Sequence, residues 1–113
     1  MLDGLPSRIE RYMDLLAARQ KLVARNIANA DTPGYKSQDI DFQQELQRLA
    51  EPAGEPAMTE TAGLVTKSDG NNVNLDREAR MLSENDIRFN IATQLMRGQI
   101  KEIHEAINEG RSQ

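Results

Sequence analysis

The 113-residue chain has no cysteine and no tryptophan, and its two tyrosines and two phenylalanines make aromatic residues only 4% of the whole. The absence of cysteine excludes disulfides and thiolate metal sites. The scarcity of aromatics removes most of the large side chains that dominate compact cores. Small domains bury a modest share of their surface, so this chain is expected to be a weak monomer that gains stability by burying helix faces against partners. An excess of positive charge is also missing. Lys and Arg number 14 against 18 Asp and Glu, for a net charge of −4 and a pI near 5.0. The basic residues are scattered, leaving no electrostatic footprint for nucleic acid. No stretch approaches the ~18 apolar residues of a membrane span. The opening MLDGLPSRIERYMDLLAARQ lacks a basic n-region, an apolar core and a small-residue cleavage site, so neither an anchor nor a cleaved signal is expected.

Catalytic vocabulary is equally thin. Asp39 and Asp41 are paired carboxylates, but no nucleophile elbow, phosphate loop or base–nucleophile pair accompanies them, which argues against an enzyme, a cofactor or a small-molecule substrate. His104 is the single histidine. It has no second ligand at metal spacing and reads as a surface residue. Asp69-Gly70-Asn71-Asn72 with Asp76 lacks the ligand order of an EF-hand loop and reads as a polar turn.

What the chain does have is helical periodicity at both ends. Ile9, Met13, Leu16, Val23, Ile27 and Ala30, with Gln20 completing the spacing, form a seam over about Ser7 to Asn29. Ser7 with Glu10 matches a capping box at its start. Thr32 before Pro33 ends the helix, and Thr32-Pro33-Gly34-Tyr35 fits a type II turn. An extended piece and a short helix are expected to follow, carrying Ile40, Phe42, Leu46 and Leu49. Residues 50–63, rich in Ala, Pro and Gly, read as a linker or exposed loop. Residues 64–73 suggest a short hairpin around Asp69-Gly70 or Gly70-Asn71. A second helix is expected from Asn74 as N-cap, with Asp76 and Glu78 in its first turn, to a stop at Gly110. Its stripe is Phe89, Ala92, Met96, Ile100, Ile103 and Ile107, widened by Ile87, Ile91 and Leu95, which is more apolar face than a two-helix monomer needs. The expected fold is mainly α: two long terminal helices packed as an antiparallel coiled-coil hairpin around a short irregular, β-containing middle. As one unit it divides into a first helix (1–31), a turn, extended segment and loop (32–73), and a second helix (74–113). Asn26 and Asn29 read either as exposed or capping residues or, functionally, as amides that bond across subunit contacts and fix register, as a polar seam residue does in coiled coils.

LAARQKLVARNIANADTPGYKSQDIDF, residues 16–42, resembles the N-terminal signature of flagellar rod, hook and related axial proteins. The signature core is Asn26, Ile27, Ala28, Asn29, Thr32, Pro33, Gly34 and Tyr35. Asp39-Ile40-Asp41-Phe42, the later DGNNVNLDREARMLSEND and the short length are similar to the proximal-rod members of that family. The resemblance implies a structural subunit of the proximal rod, part of the axle that carries torque from motor to hook. It implies export, unfolded, through the flagellar type III apparatus without signal cleavage, and a place in the periplasmic rod of the basal body. The partners it implies are other copies of the chain, other rod proteins, MS-ring and rod-adaptor proteins and the export gate. Subunit packing would use Ile9, Met13, Leu16, Gln20, Val23, Ile27, Phe89, Ala92, Met96, Ile100, Ile103 and Ile107. Phe42 and Leu46 match a Phe-x-x-x-apolar element through which early rod and hook substrates are recognised at the gate. The competing readings are a cytoplasmic helical binding module, such as an export chaperone or adaptor, and a DNA-binding helix-turn-helix. The acidic balance and long helices disfavour the last.

Overall fold

A computed structural model describes residues 4–51 and 54–111. Two long helices dominate it: α1 (Leu5–Ala28) and α3 (Leu75–Arg111). Between them come strand β1 (Gln38–Ile40), a short helix α2 (Phe42–Gln47) and strand β2 (Met58–Glu60). α1 and α3 run antiparallel. Arg88 reaches Tyr12, Asn85 reaches the Leu16 carbonyl, and Glu78 reaches Asn26, so rising numbers on one helix meet falling numbers on the other.

α1 begins earlier than the Ser7 capping box suggests. Gly4 occupies the N-cap and Pro6 lies in the first turn, with no side-chain cap bond. Proline fits there because its missing N–H has no intrahelical acceptor anyway and its φ is already helical. Asn29 forms the C-cap, its N–H bonding Arg25 O and Asn26 O. The Thr32 carbonyl then accepts from Tyr35 N–H at 3.2 Å with Gly34 at φ +76°, the geometry of a type II turn.

The extended piece and short helix both form. Asp41 caps α2 by accepting from Gln44 N–H at 3.2 Å. Two expectations for the middle are corrected. Residues 50–63 are not simply a linker, because Met58–Glu60 pairs antiparallel with β1 in the register Gln38↔Glu60 and Ile40↔Met58; part of that stretch, residues 52–53, lies outside the described residues. The hairpin expected over 64–73 has its turn, with Gly70 N–H bonding Lys67 O at 2.9 Å, but no strands flank it. Its polar residues are instead drawn onto the signature turn. The expected stop at Gly110 also does not hold: α3 continues through it to Arg111, since a glycine can sit in a helix at a cost of about 1 kcal/mol when nothing else imposes an end.

α1 buries two sides. Ile9, Leu16 and Val23, each seven residues apart, lie on the side facing α3, where Ala92 is also buried. Leu15 and Leu22 form a second cluster with Ile40, against which Ala18, Phe42 and Leu46 pack. The seam read from sequence omitted Leu15 and Leu22, which lie off its face and pack instead against Ile40, Phe42 and Leu46 of the middle segment. The resulting molecule is long, 72 × 24 × 17 Å with a radius of gyration of 18.5 Å, against ~13 Å for a compact domain of this size. Among the described residues no helix is long and apolar enough to cross a membrane, and no acidic or histidine cluster could hold a metal ion.

Candidate functional site: a clasp on the signature turn

The signature residues form an intramolecular clasp that ties the end of α1 to the start of α3. Asn26 is fully buried. Its Nδ2 donates to Gln38 O at 2.9 Å and to Glu78 Oε1 at 3.0 Å. Its Oδ1 accepts from the Tyr35 hydroxyl at 3.0 Å and from Gln38 N–H at 3.1 Å. The amide thus serves as a surrogate strand for Gln38, and its hydrogen-bonding capacity is filled inside the chain. The reading of Asn26 as a cross-subunit amide is corrected accordingly. Asn29 bonds locally, as the C-cap of α1. Its Nδ2 donates to Arg25 O at 2.8 Å and its Oδ1 accepts from the Thr32 hydroxyl at 3.1 Å.

Burial raises the Tyr35 phenol above its ordinary 10.0, against the pull of Arg25 and with a push from Glu78. It therefore stays protonated and keeps donating to Asn26.

Glu78, expected only to complement the helix dipole, is completely buried. Its Oε1 gathers Asn26 Nδ2, the Ser37 hydroxyl (3.2 Å) and Arg77 Nη1 (3.0 Å). Beside it, Asp39 receives Arg19 through two bonds of 3.1 Å and Arg77 through a third. Burial alone would raise the Asp39 carboxyl, but hydrogen bonds from Arg19, the Ile40 N–H and Arg77 hold it below its ordinary 3.8. No sequence pattern distinguishes Glu78 from an ordinary first-turn acid. Only its position against Asn26, 52 residues away, does.

The loop 69–73 closes the clasp from outside. Asn71, also fully buried, donates to the carbonyls of Asn29 and Thr32 at 2.8 Å each and accepts from Val73 N–H. Asn72 Oδ1 accepts from Ser37 N–H at 2.6 Å. Gly34 N–H bonds Asp69 O at 2.9 Å. The carbonyls of Asn29 and Thr32, freed where α1 ends, are thus satisfied by a side chain from the far end of the middle segment. The two glycines of this contact differ in their expected sensitivity. Gly34→Ala meets open space and is expected to cost about 1 kcal/mol through its positive φ alone. Gly70→Ala, at φ +87°, would also bring a methyl to 3.2 Å from Gly34 Cα, so urea unfolding should rank it clearly worse than Gly34→Ala.

Of the packing residues read from sequence, Ile9, Leu16, Val23 and Ala92 are buried, and Met13 and Met96 are half-buried. Gln20, Ile27, Phe89, Ile100, Ile103 and Ile107 are exposed, as are Ile87, Ile91 and Leu95. The second half of the α3 stripe has therefore no partner within the chain. Phe42 is half-buried between the guanidiniums of Arg19 and Arg88, 4.8 and 5.1 Å from its ring centroid, with the Tyr12 ring edge-on at 6.2 Å. Leu46 packs on the cluster of Leu15, Leu22 and Ile40. His104 is exposed.

The family model for the flagella basal body rod protein matches residues 13–36, the last two thirds of α1 and the signature turn. A helix pair held by such a clasp, under that match, defines the class as structural, non-enzymatic components of the flagellar basal body rod. Curated flagellar basal body rod proteins FlgB extend the similarity over nearly the whole chain. Those of Escherichia coli and Salmonella typhimurium are 30% and 31% identical over 97% of this chain and 99% of their own length. That of Borrelia hermsii is 30% identical over 86% of this chain and 90% of its own. The chain belongs to the FlgB family of flagellar basal body rod proteins.

Proposed function

We propose that the chain is exported through the flagellar type III gate without signal cleavage and assembles in the proximal, periplasmic part of the rod. There it contacts further copies of itself, other rod proteins, and the MS-ring and rod-adaptor proteins. The observation carrying this reading is the mismatch of the two helices. α3 has 37 residues against 24 for α1, and residues 100–111 are all exposed while keeping the stripe Ile100, Ile103, Ile107. A monomer gains nothing from an apolar stripe in water, whereas burying it against other helices contributes roughly 25 cal/mol per Å². The packing set from Ile9 to Ile107 then works in two halves: Ile9, Leu16, Val23 and Ala92 within the chain, and Phe89, Ile100, Ile103 and Ile107 between chains. The single unit keeps its division into a first helix (1–31), a middle (32–73) and a second helix (74–113).

Phe42 and Leu46 serve as the export-gate element in this reading. The folded chain holds both against its core, so the gate reads them before the fold closes. Phe42→Ala is expected to abolish secretion while leaving cellular levels of the chain intact, as immunoblots of culture fractions would report. Unchanged secretion would remove the element from the scheme. Finding the chain in purified basal bodies tests the location itself, and its confinement to the cytoplasm would favour an adaptor instead.

A further inference from the structure

We infer that α3 carries a latch on the export element: when α3 docks on α1, Arg88 covers the Phe42 ring and hides it from the gate, so the last helix of the chain controls a signal held in its first half. This inference rests on the reading of Phe42 and Leu46 given above and names what switches them off.

The two anchors of the element are covered in different ways. Leu46 packs on Leu15, Leu22 and Ile40, an apolar contact that α1, β1 and α2 complete among themselves. Phe42 lies in a cage of longer side chains. The Arg19 guanidinium stands over its ring at 4.8 Å from the centroid and that of Arg88 at 5.1 Å, while Tyr12 meets it edge-on at 6.2 Å. A receptor for a Phe side chain buries most of its surface. Guanidiniums seated over the ring occupy the π surface that such a receptor packs against.

The two guanidiniums are not held alike. Arg19, 10% exposed, is fixed by its buried ion pair with Asp39. Arg88 is 37% exposed; it is held by the Tyr12 hydroxyl at 3.1 Å and by Glu84 at 3.0 Å, an exposed i,i+4 pair of the kind that contributes little. They also arrive from different places. Tyr12 and Arg19, seven residues apart on one face of α1, meet Phe42 once α1 and α2 fold, whereas Arg88 comes only with α3. The preceding turn of α3 brings Asn85 to the Leu16 carbonyl at 3.2 Å, so the cage closes with the helix pair itself. A half-exposed, lightly held side chain is what a local opening releases first. Arg88 is therefore the movable wall of the cage and Arg19 the fixed one. Chains with α3 undocked present Phe42 to the gate, and chains that have closed withdraw it.

The chain has no tryptophan, so Phe42→Trp places a single reporter in the cage. Adding Arg88→Ala is expected to shift its emission to the red and to strengthen acrylamide quenching while circular dichroism stays the same; unchanged emission and quenching mean that Arg88 does not cover the ring and overturn the inference. In cells blocked in rod assembly, Arg88→Ala alone should raise the exported share about threefold, the population shift expected from losing one exposed cation–π contact. Immunoblots of cytoplasmic and periplasmic fractions measure it. Gly34→Ala weakens the fold at the signature turn instead and should leave export unchanged. An equal rise in both variants means that lost stability alone frees the chain, and no rise in Arg88→Ala means that there is no latch; either result overturns the inference. The double variant Arg88→Ala/Phe42→Ala should stay in the cytoplasm, and its export would show that Arg88 acts by a route other than Phe42. Phe42→Ala alone separates the two levels of the argument. Its normal export removes the element itself, whereas its retention, with Arg88→Ala exported no better than the unaltered chain, removes only the latch.

Discussion

Asn26→Ala is expected to destabilise the folded chain by about 3 kcal/mol or more, because it strands several buried groups at 1–3 kcal/mol each. The Tyr35 hydroxyl, both backbone groups of Gln38 and one donor to the Glu78 carboxylate all depend on that amide. The side chain removed is small, so the loss comes from unsatisfied polar groups and not from a cavity. Tyr35→Phe, which removes a single donor, is the calibrating variant at about 1 kcal/mol. Urea unfolding followed by circular dichroism measures both. Equal midpoints for Asn26→Ala and the unaltered chain would mean that the clasp does not hold the helix ends together. For a small protein with a total stability of roughly 5–15 kcal/mol, the expected loss is large enough to reduce assembly as well.

The second large effect concerns Asp39, whose carboxylate bridges Arg19 on α1 and Arg77 on α3 with 13% of its side chain exposed. Asp39→Asn keeps the shape but leaves the Arg19 guanidinium, 10% exposed, without its counter-charge and Arg77, 17% exposed, with Glu78 alone. Breaking one partner of a buried ion pair costs about 3–5 kcal/mol, and the lower end applies here because some solvent reaches the group. The pH dependence has a definite sign. The folded-state carboxyl titrates below its ordinary 3.8, so its contribution is fully present above that value. It is lost as pH falls from there through the depressed folded value, where protonation weakens both ion pairs. Stability should therefore decline on acidification below about pH 4, and Asp39→Asn should show a shallower decline. An equal acid slope in the two proteins would contradict the assignment.

The clasp also explains why Pro33 and Gly34 sit where they do. They bend the chain so that Tyr35 returns to Asn26 and the carbonyls of Asn29 and Thr32 face Asn71. The turn acts by aiming one helix at the other, and its hydrogen bonds are spent within the chain. The exposed apolar side chains Ile100, Ile103 and Ile107 lie at the other end of α3 from the clasp.

Local chemistry by itself determined the two long helices, the turn at Thr32–Tyr35 and the Asn74 cap, which accepts from Arg77 N–H at 3.1 Å. Each follows from periodicity, proline geometry or a side chain acting on its own neighbours within one turn. The same patterning disclosed more apolar face on α3 than one chain can cover. Tertiary structure alone decided that Asn26 and Glu78 are buried partners, that Arg19 and Arg77 share Asp39, that Met58–Glu60 is a strand, and that Leu15 and Leu22 are core. These features depend on groups roughly 20 to 50 residues apart meeting at one point. A polar residue's burial is set by what covers it, and no spacing along the chain encodes the cover.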